Sequence, residues 1–346
     1  MIRVLVVDDS RPVRALLAHI LDAAPGLRVA GCAIDGEEAL RMAQQLQPDV
    51  ITMDLQMPRM DGYEAIRQIM QSCPTRIVVV SGNGEREVDA SFRAIEAGAL
   101  VLVRRPHGVG HPLHAQTARE LVQTVRAMAE VRVVRRWSAS RLAPRAGQGA
   151  RRRLVVIGAS TGGPPVLREI LAELPQDFPL PLVIVQHLAP GFIDGLAGWL
   201  AGSSGYPVEV ARDGALLRGG CAYLVPDGLQ VALGPGLTSR LVPAPPDHGM
   251  CPSVSHLFSG IDRELRPATV AVLLTGMGKD GGAELKQLRE QGALTIAQDR
   301  ASSAVYGMPG EALRLDAAML VLAPAEIGKL LARLPFEPFI STYFAH

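Results

Sequence analysis

Three carboxylates in the first half of the chain lie directly after two predicted β-strands. Asp8 and Asp9 follow the first apolar run, and Asp54 follows a later one. The carboxyl ends of parallel strands meet at one crevice, where such charges repel each other unless a divalent cation joins them. Oxygen-only ligands favour Mg²⁺, which also accepts phosphoryl oxygens. Ser81 and Arg105 follow the next two strands and add a hydroxyl and a cation.

This set of groups predicts phosphorylation of an aspartate, because a metal ion and a cation neutralise the phosphoryl group during transfer. The plainer alternative is that Asp8 and Asp9 cap the helix that begins near Ser10, and that Asp54 opens a loop. That alternative accounts for any one aspartate. It does not explain why three acids, a hydroxyl and a cation lie at the ends of four of the five predicted strands.

A second group of residues offers nucleophilic chemistry. Ser160 lies in the segment GASTG, which has the form G-x-S-x-G, on a predicted strand-to-helix turn. His187 closes the apolar run Leu182–Val185, and Asp280 follows the run Ala268–Leu274 after a glycine-containing loop. All three side chains therefore come from strand carboxyl ends. They predict a nucleophile, a general base and the residue that orients the base.

Each of these residues also has a plainer interpretation. A glycine-rich turn after a strand can bind phosphate, although this one lacks the G-x-G-x-x-G of a dinucleotide site. His187 could be structural, Asp280 could cap the helix that follows it, and His256 is the main rival for the role of base. The chain order Ser–His–Asp differs from the Ser–Asp–His order of α/β-hydrolases, which predicts similar chemistry on a different fold.

The elements that must position these residues alternate between strands and helices. In the first block, apolar runs are typical of strands buried on both faces of a parallel sheet. Apolar residues recur at helical spacing after Ser10 and Pro12. The pattern predicts a doubly wound, five-stranded parallel α/β sheet. Its strands are expected at Ile2–Val7, Leu27–Ala33, Asp49–Met53, Arg76–Val80 and Leu100–Val103.

The second block predicts another α/β domain, with a mostly parallel sheet that is more mixed in its middle. A helix is expected from about Pro164 to Leu174, directly after the GASTG turn. Strands are expected at Leu154–Ile157, Leu182–Val185, Val208–Ala211, Ala222–Val225, Leu229–Leu233, Ala268–Leu274 and Ala293–Ala297.

Length and composition exclude several classes of protein. The chain has 346 residues, of which 48% are hydrophobic and 20% charged, as in a soluble globular protein of two or three domains. No apolar stretch is long enough for membrane insertion, and the N-terminus lacks a signal-peptide pattern. The four cysteines form no CxxC pair, which argues against a disulfide framework or a zinc site. We therefore expect a cytoplasmic protein.

The net charge of +1 conceals an uneven distribution along the chain. Residues 1–106 and 154–346 are mildly acidic, whereas residues 107–153 carry ten arginines against two acidic residues. This predicts a first domain over 1–106 whose last helix extends to about residue 130, an Arg-rich linker over 131–153, and a second domain over 154–346. The arginines could contact nucleic acid, but this basic stretch contains no recognisable DNA-reading module. We expect a solvated tether and no nucleic-acid partner.

Three motifs of the first domain, VLVVDDS, DLQMPRMDG and GALVLVRRP, resemble the receiver domain of two-component response regulators. The resemblance implies that Asp54 is the phospho-acceptor and that Asp8, Asp9 and Asp54 bind Mg²⁺. It also implies that Ser81 and Arg105 contact the phosphoryl group. The expected phosphodonor is a chemotaxis histidine kinase.

Four motifs of the second domain, IGASTGG, VQHLAPGF, LLTGMGKDG and AQDRASSAVYGMP, resemble the catalytic domain of the CheB family of chemotaxis protein-glutamate methylesterases. Carried over residue by residue, the resemblance implies Ser160 as nucleophile, His187 as general base and Asp280 as its orienting partner. The backbone amides of Met277 and Thr161 are the expected oxyanion-hole donors.

The two resemblances together imply a phosphorylation-regulated serine esterase. It would hydrolyse glutamate methyl esters on methyl-accepting chemoreceptors, deamidate receptor glutamines, and need no cofactor for the esterase chemistry. The alternative is a non-catalytic, receiver-containing signalling adaptor. Replacing Ser160 with alanine separates the two, because adaptor signalling would survive and ester hydrolysis would not.

The sequence departs from these families at four places. Arg105 stands where receivers usually have lysine, and Leu102 where they usually have an aromatic switch residue. Residues 226–230 read PDGLQ, whereas the methylesterases usually end this segment with histidine; residues 252–255 read PSVS in place of the usual PSVD. The first two changes bear on phosphorylation-dependent gating. The last two leave the triad intact, and we expect them to affect the substrate rim or the packing against the receiver.

Overall fold

A computed structural model of the chain describes residues 1–82, 94, 97–130, 152–243 and 250–334. The chain divides into two compact units, Met1–Val133 and Val134–His346. Most of the predicted Arg-rich linker over 131–153 lies outside the described residues, so the predicted domain boundaries stay a prediction. No helix in the described ranges is both long and apolar enough to cross a membrane.

The first unit contains a five-stranded sheet in which every pairing is parallel. Its strands are β1 (Ile2–Val7), β2 (Leu27–Ala33), β3 (Val50–Met53), β4 (Arg76–Ser81) and β5 (Val101–Arg104), arranged in the order β2-β1-β3-β4-β5. All four side chains of β3, the central strand, are buried, as the near-continuous apolar run predicts. The order places the ends of β1, β3 and β4 side by side.

Four helices of the first unit lie within the described residues. They are α1 (Arg11–Asp22), α2 (Gly36–Leu46), α3 (Gly62–Ser72) and α4 (His114–Glu130). Helix α1 starts directly after Ser10 with Pro12 in its first turn, although the serine hydroxyl makes no capping hydrogen bond. Asp35 and Asp61 cap α2 and α3 by accepting from backbone N–H groups three residues later.

The second unit is built on a seven-stranded sheet whose pairings are all parallel. Its strands are β6 (Leu154–Ala159), β7 (Leu182–Gln186), β8 (Val208–Val210), β9 (Ala222–Leu224), β12 (Thr269–Leu273), β13 (Leu294–Gln298) and β14 (Leu320–Leu322). The order is β14-β13-β12-β6-β7-β9-β8. The predicted α/β fold is therefore confirmed in both units.

The antiparallel part of the second unit lies elsewhere than the sequence analysis placed it. Strand β10 (Leu229–Leu233) does not join the large sheet but pairs with β11 (Ser239–Pro243), which was not predicted. Two of the five β10 side chains are only partly buried, in contrast to the fully buried β6 and β12. The pairing partner of a short, partly buried strand cannot be predicted from local sequence, because it depends on contacts that form only in the folded chain.

Helices flank this sheet and join its strands. They are α5 (Gly163–Ala172), α6 (Ile193–Ser204), α7 (Val254–Ser259), α8 (Gly282–Glu290), α9 (Met308–Arg314) and α10 (Pro324–Arg333), with a 3-10 turn at Arg266–Ala268. All side chains of β6, β7, β12 and β13 are buried. The neighbouring order β12-β6-β7 brings together the three strand ends that precede the predicted triad.

Candidate active site and acidic crevice

Ser160 lies in the turn between β6 and α5, at the carboxyl end of the sheet. Its backbone N–H donates to the Thr275 carbonyl at 3.0 Å, and its own carbonyl accepts from the Gly163 N–H at 2.8 Å. Gly162 closes the turn with a φ of +78°, a left-handed conformation that glycine adopts without strain. Glycine therefore carries the unusual torsion of this turn, and the Ser160 backbone stays at negative φ.

The loop after β12 packs tightly against Ser160. A Cβ placed on Gly276 would lie 2.6 Å from the Ser160 Cβ, which is closer than real side chains approach. The Thr275 hydroxyl donates to the Thr161 carbonyl at 2.9 Å and ties the loop to the residue after the serine. This approach requires glycine, and it brings the segment that contains Met277 close to Ser160.

His187 is held beside Ser160 by the adjacent strand. It directly follows β7, and its backbone N–H donates to the Ala159 carbonyl at 3.0 Å. The ring is largely buried, and its Nε2 lies 3.0 Å from Asp280 Oδ2. This contact is short but not well aligned for a hydrogen bond, and Nδ1 has no hydrogen-bond partner among the described residues. In this ring orientation Nε2 is the nitrogen that faces Asp280.

The Asp280 carboxylate is clamped by the start of α7. It accepts hydrogen bonds from the Ser253 hydroxyl at 3.0 Å and from the backbone N–H groups of Val254 and Ser255 at 2.8 and 2.9 Å. Burial alone would raise the pKa of Asp280, but the polar contact with His187 and the hydrogen bonds from Ser255 and Val254 outweigh it and hold the pKa well below the ordinary value. Asp280 therefore stays ionised beside the imidazole.

The structure shows where the side chains behind each of these alternatives lie. Asp280 does not cap the helix after it, since α8 follows Gly281 without a side-chain cap; its carboxylate instead caps α7, which precedes it in the chain. His256 lies within α7, and the ion pair of Asp280 in the described part of the chain is with His187. Which helix Asp280 caps and which histidine it contacts depend on tertiary contacts, so neither could be predicted from the local sequence.

Two backbone N–H groups near the serine remain available for a ligand. The N–H of Ser160 is taken by the Thr275 carbonyl. The N–H groups of Thr161 and Met277 donate to no other described residue. Met277 is 53% exposed, so its segment faces solvent rather than the core. These two amides are the ones that the sequence analysis named as oxyanion-hole donors.

The predicted metal ligands of the first unit come together at the ends of β1 and β3. Asp8, Asp9 and Asp54 each place an oxygen within 4.8 Å of the other two. Asp8 and Asp54 are buried, and Asp9 is exposed. Asp8 Oδ1 accepts from Ser10 N–H at 2.9 Å, whereas Oδ2 is buried without a hydrogen-bond partner in the described residues. Burial and the charge of Asp54 raise the pKa of Asp8 to about 6.

This crevice fits a divalent cation by the chemistry of its donors. Hard oxygen ligands surround it, one buried oxygen lacks a partner, and the crowded negative charge is only partly offset by protein groups. Arg14 donates to the Asp8 and Asp9 carbonyls at 2.7 and 3.2 Å, which fixes the loop that carries both acids.

The other two residues predicted to contact the phosphoryl group, Arg105 and Ser81, differ in what the structure describes of them. Arg105 Nη2 lies 3.4 Å from Asp54 Oδ1, which also accepts from the Leu55 N–H at 2.9 Å. Ser81 ends β4 opposite Arg104, but its side chain lies outside what the structure describes. Leu102, at the position of the usual aromatic switch residue, is buried in β5.

Two family models match the chain. The model described as CheB methylesterase matches residues 155–331, just over half of the chain, and the response regulator receiver domain matches residues 4–111. The chain belongs to the CheB methylesterase family. Membership confirms the expected ester hydrolase, and the non-catalytic adaptor interpretation is wrong.

Full-length relatives and a solved structure agree with this assignment. A protein of Geobacter metallireducens named protein-glutamate methylesterase/protein-glutamine glutaminase 4 is 50% identical over 346 residues, covering 97% of this chain and 100% of the relative. One of Syntrophus aciditrophicus with the corresponding name is 47% identical, covering 96% and 98%. The crystal structure of the Thermotoga maritima CheB methylesterase catalytic domain has 34% identity and a TM-score of 0.50, covering 53% of this chain and 98% of that one.

The two departures from the CheB pattern meet at the start of α7. Gln230, in the place of the usual histidine, is buried; it donates to the Met250 carbonyl at 3.1 Å and accepts from the Ser253 N–H at 2.9 Å. The Ser255 hydroxyl, in the place of the usual aspartate, donates to Glu284 at 2.7 Å. Both residues therefore hold in place the segment whose Ser253 and backbone amides bind the Asp280 carboxylate.

Sequence reasoning missed residues that hold the site without reacting. Gln186, Gly276 and Ser253 touch the triad residues through hydrogen bonds or close packing. Gln186 gave one available signal, since it is a polar residue that ends a fully buried strand directly before the histidine. Nothing near Ser253 in the sequence indicates that its hydroxyl reaches Asp280, 27 residues later.

Proposed function

We propose that this chain is a phosphorylation-regulated protein-glutamate methylesterase in which Ser160, His187 and Asp280 form the catalytic triad. The observation that carries the proposal is the 3.0 Å contact between His187 Nε2 and a clamped Asp280 carboxylate, at the strand end adjacent to Ser160. A buried histidine beside an aspartate that already accepts three hydrogen bonds from α7 is well suited to proton transfer.

In the first step, Ser160 Oγ attacks the γ-carbonyl carbon of a glutamate methyl ester. His187 Nδ1 takes the hydroxyl proton, and the imidazolium that results is stabilised by Asp280 through Nε2. Because the hydrogen bonds from α7 keep Asp280 ionised, it orients the ring and does not itself accept the proton.

The negative charge that develops on the carbonyl oxygen needs hydrogen-bond donors. The N–H groups of Thr161 and Met277 supply them, because they lie on the two loops that meet at Ser160 and have no other acceptor among the described residues. Preorganised donors of this kind contribute about 2.7–4 kcal/mol each to catalysis.

The tetrahedral intermediate collapses by breaking the bond to the methoxy oxygen. His187 returns its proton to that oxygen, and methanol leaves an acyl-enzyme on Ser160. A water molecule then attacks the acyl carbon with His187 again as base, which releases the glutamate carboxylate and restores the serine hydroxyl. A glutamine side chain would pass through the same acyl-enzyme with ammonia as the leaving group. The relatives named protein-glutamine glutaminase support this second reaction.

In the receiver unit, we assign Asp54 as phospho-acceptor and Asp8, Asp9 and Asp54 as the residues that hold Mg²⁺. The ion, when bound, supplies positive charge to the phosphoryl oxygens. Arg105 adds a guanidinium 3.4 Å from the acceptor oxygen, and Ser81 is assigned to sense the phosphoryl group. Phosphorylation adds charge to the receiver and shifts a two-state gate that limits the esterase.

The partners that fit this chemistry are methyl-accepting chemoreceptors as substrate and a chemotaxis histidine kinase as phosphodonor, in the cytoplasm. Names of relatives and the receiver match support this pairing. The reaction would remove methyl groups from receptor glutamates and so contribute to adaptation in a two-component chemosensory pathway.

The test is methanol release from methylated chemoreceptor membranes, measured for the wild type, Ser160→Ala and Asp54→Ala with and without a small phosphodonor. We expect release to depend on Ser160 and to rise with phosphodonor only when Asp54 is present. Release by Ser160→Ala at the wild-type rate would overturn the triad. Ser160-dependent release that ignores the phosphodonor would overturn the gate alone.

A further inference from the structure

One buried side chain joins the nucleophile to the base. Gln186 ends β7, pairs with Ala159 at the end of β6, and is only 2% exposed. Its side-chain Nε2 donates to the Ser160 carbonyl at 2.8 Å and to the His187 carbonyl at 2.9 Å. A single amide group therefore holds the backbones of both residues.

These bonds stand where the backbone ladder between the two strands ends. The His187 N–H makes a bond across the strands, to the Ala159 carbonyl at 3.0 Å. Ser160 then turns towards α5, and its carbonyl accepts from the Gly163 N–H instead of from β7. The Gln186 side chain supplies the next hydrogen bonds. It therefore fixes the separation between the Ser160 and His187 backbones past the last backbone hydrogen bond of the sheet.

The orientation of the Gln186 amide follows from its partners. Rotating the amide by 180° would aim its oxygen at two carbonyl oxygens, so Nε2 must face them. Oε1 then points to the first turn of α5, 2.0 Å from where a Cβ on Gly163 would stand. It is buried and accepts no hydrogen bond from a described residue. A buried acceptor without a partner lowers stability, so folding alone does not explain a glutamine here.

We propose that Gln186 is a positioning residue for the esterase reaction, which holds Ser160 and His187 at the separation that proton transfer requires. The inference rests on the proposed roles of Ser160 and His187. Gln186 touches neither substrate nor reacting atom, and it acts through the two carbonyls it bridges. A displacement of about 1 Å between reacting groups can cost about 100-fold in rate.

The experiment uses the full chain with phosphodonor and methylated chemoreceptor membranes. Gln186→Met keeps the length of the side chain and removes both donors; Gln186→Asn keeps the amide but is too short to span both carbonyls. We expect kcat for methanol release, and the rate of Ser160 labelling by a fluorophosphonate, to fall at least tenfold in both variants. KM should stay within about twofold, because the substrate surface is unchanged.

The matched control is Thr295→Val. Thr295 is another buried side chain, on β13 and away from the triad, and it ties that strand to the segment before β14 by donating to the Ala317 carbonyl and accepting from the Met319 N–H. We expect this variant to melt at a lower temperature and to keep its kcat. If Gln186→Met does not fold, Gln186→Asn decides.

Three results are possible for a folded Gln186 variant. A loss of kcat and labelling with KM retained supports the proposal. Wild-type rates overturn it, and so does a loss no greater than that of Thr295→Val at equal loss of melting temperature. Ser160→Ala, run in parallel, separates the two levels: release or labelling in that variant would show that the triad, rather than the role of Gln186, is wrong.

Discussion

The acidic crevice of the receiver and the predicted triad crevice of the esterase both lie at the carboxyl ends of parallel strands. They differ in how they stabilise the charge of an aspartate, which is fully buried in the first (Asp8) and partly exposed in the second (Asp280). Burial, with the charges of Asp54 and Asp9, raises the pKa of Asp8 to about 6, and one of its carboxylate oxygens has no hydrogen-bond partner among the described residues. Asp280 accepts hydrogen bonds from Ser253, which caps α7, and from the first two residues of that helix, and its pKa is lowered.

This difference separates a site that needs an outside charge from one that does not. In the receiver crevice the carboxylates repel each other, so binding of a cation or a proton stabilises the site. Its stability therefore depends on what is bound there. The triad crevice has its charge satisfied within the protein, so that its geometry persists while the substrate changes. The regulatory site is thus electrostatically incomplete, and the catalytic site is preorganised.

The largest expected effect comes from removing the charge of Asp280, whose carboxylate oxygens both accept hydrogen bonds. Asp280→Asn should lower kcat for methanol release by about 10⁴-fold, because the amide cannot stabilise the imidazolium and favours the wrong histidine tautomer. Steady-state methanol release with phosphodonor present measures this. The control is Asp61→Asn, which alters a helix-capping aspartate in the receiver and should leave kcat unchanged. A loss smaller than tenfold would contradict the role of Asp280.

Deleting the receiver domain, which contains the acidic crevice, should have the next largest effect. A chain that begins after residue 140 should show basal methanol release about tenfold above that of the unphosphorylated full chain, within the usual range of allosteric coupling. The comparison is made without phosphodonor, after circular dichroism has verified folding. A folded but inactive fragment would argue that the receiver activates the esterase instead of restraining it.

The two aspartates predict opposite responses to acid. Since the folded pKa of Asp8 exceeds its unfolded value of about 3.9, its contribution favours folding below pH 4 and is lost as the pH rises through 6. Asp280 has a depressed folded pKa, so its contribution is present above pH 4 and is lost only at lower pH.

Asp8→Asn should accordingly stabilise the metal-free receiver at pH 7, by about 1 kcal/mol after solvent screening, and by less at pH 5. Mg²⁺ should stabilise the wild-type receiver at pH 7 but not this variant. Hydrogen exchange of β1 amides, with β6 amides as internal reference, measures both effects in the full chain. Equal stabilisation of the variant by Mg²⁺ would exclude Asp8 as a ligand.

The smallest effect is expected at Arg105, which is partly exposed and 3.4 Å from Asp54. Arg105→Ala should slow phosphorylation of Asp54 by a small phosphodonor about two- to fivefold, whereas Arg105→Lys, which restores the usual receiver residue, should be near wild type. Phosphorylation rates measured from phosphodonor consumption would show this. A large loss in Arg105→Lys would indicate that this receiver depends on the planar guanidinium.

Much of the fold was predictable because buried parallel strands leave continuous apolar runs. Val50–Met53 and Leu182–Gln186 appear in the structure close to their expected bounds. Strands β11 and β14 were missed, since they are short and their pairing depends on distant segments. The oxyanion-hole amides and the triad residues were predicted from motifs. The alternative that Asp280 caps the helix after it was also left open, and the structure shows no such side-chain cap.

The sequence by itself determined which side chains end which strands, and thereby that three carboxylates share one crevice and that Ser160, His187 and Asp280 share another. The tertiary structure alone decided how each buried charge is satisfied. Ser253 and Gln186 reach their partners across segments that are 26 or 27 residues apart in the chain. Local periodicity reports the direction of a side chain, but a hydrogen bond depends on distances that exist only after distant segments have packed.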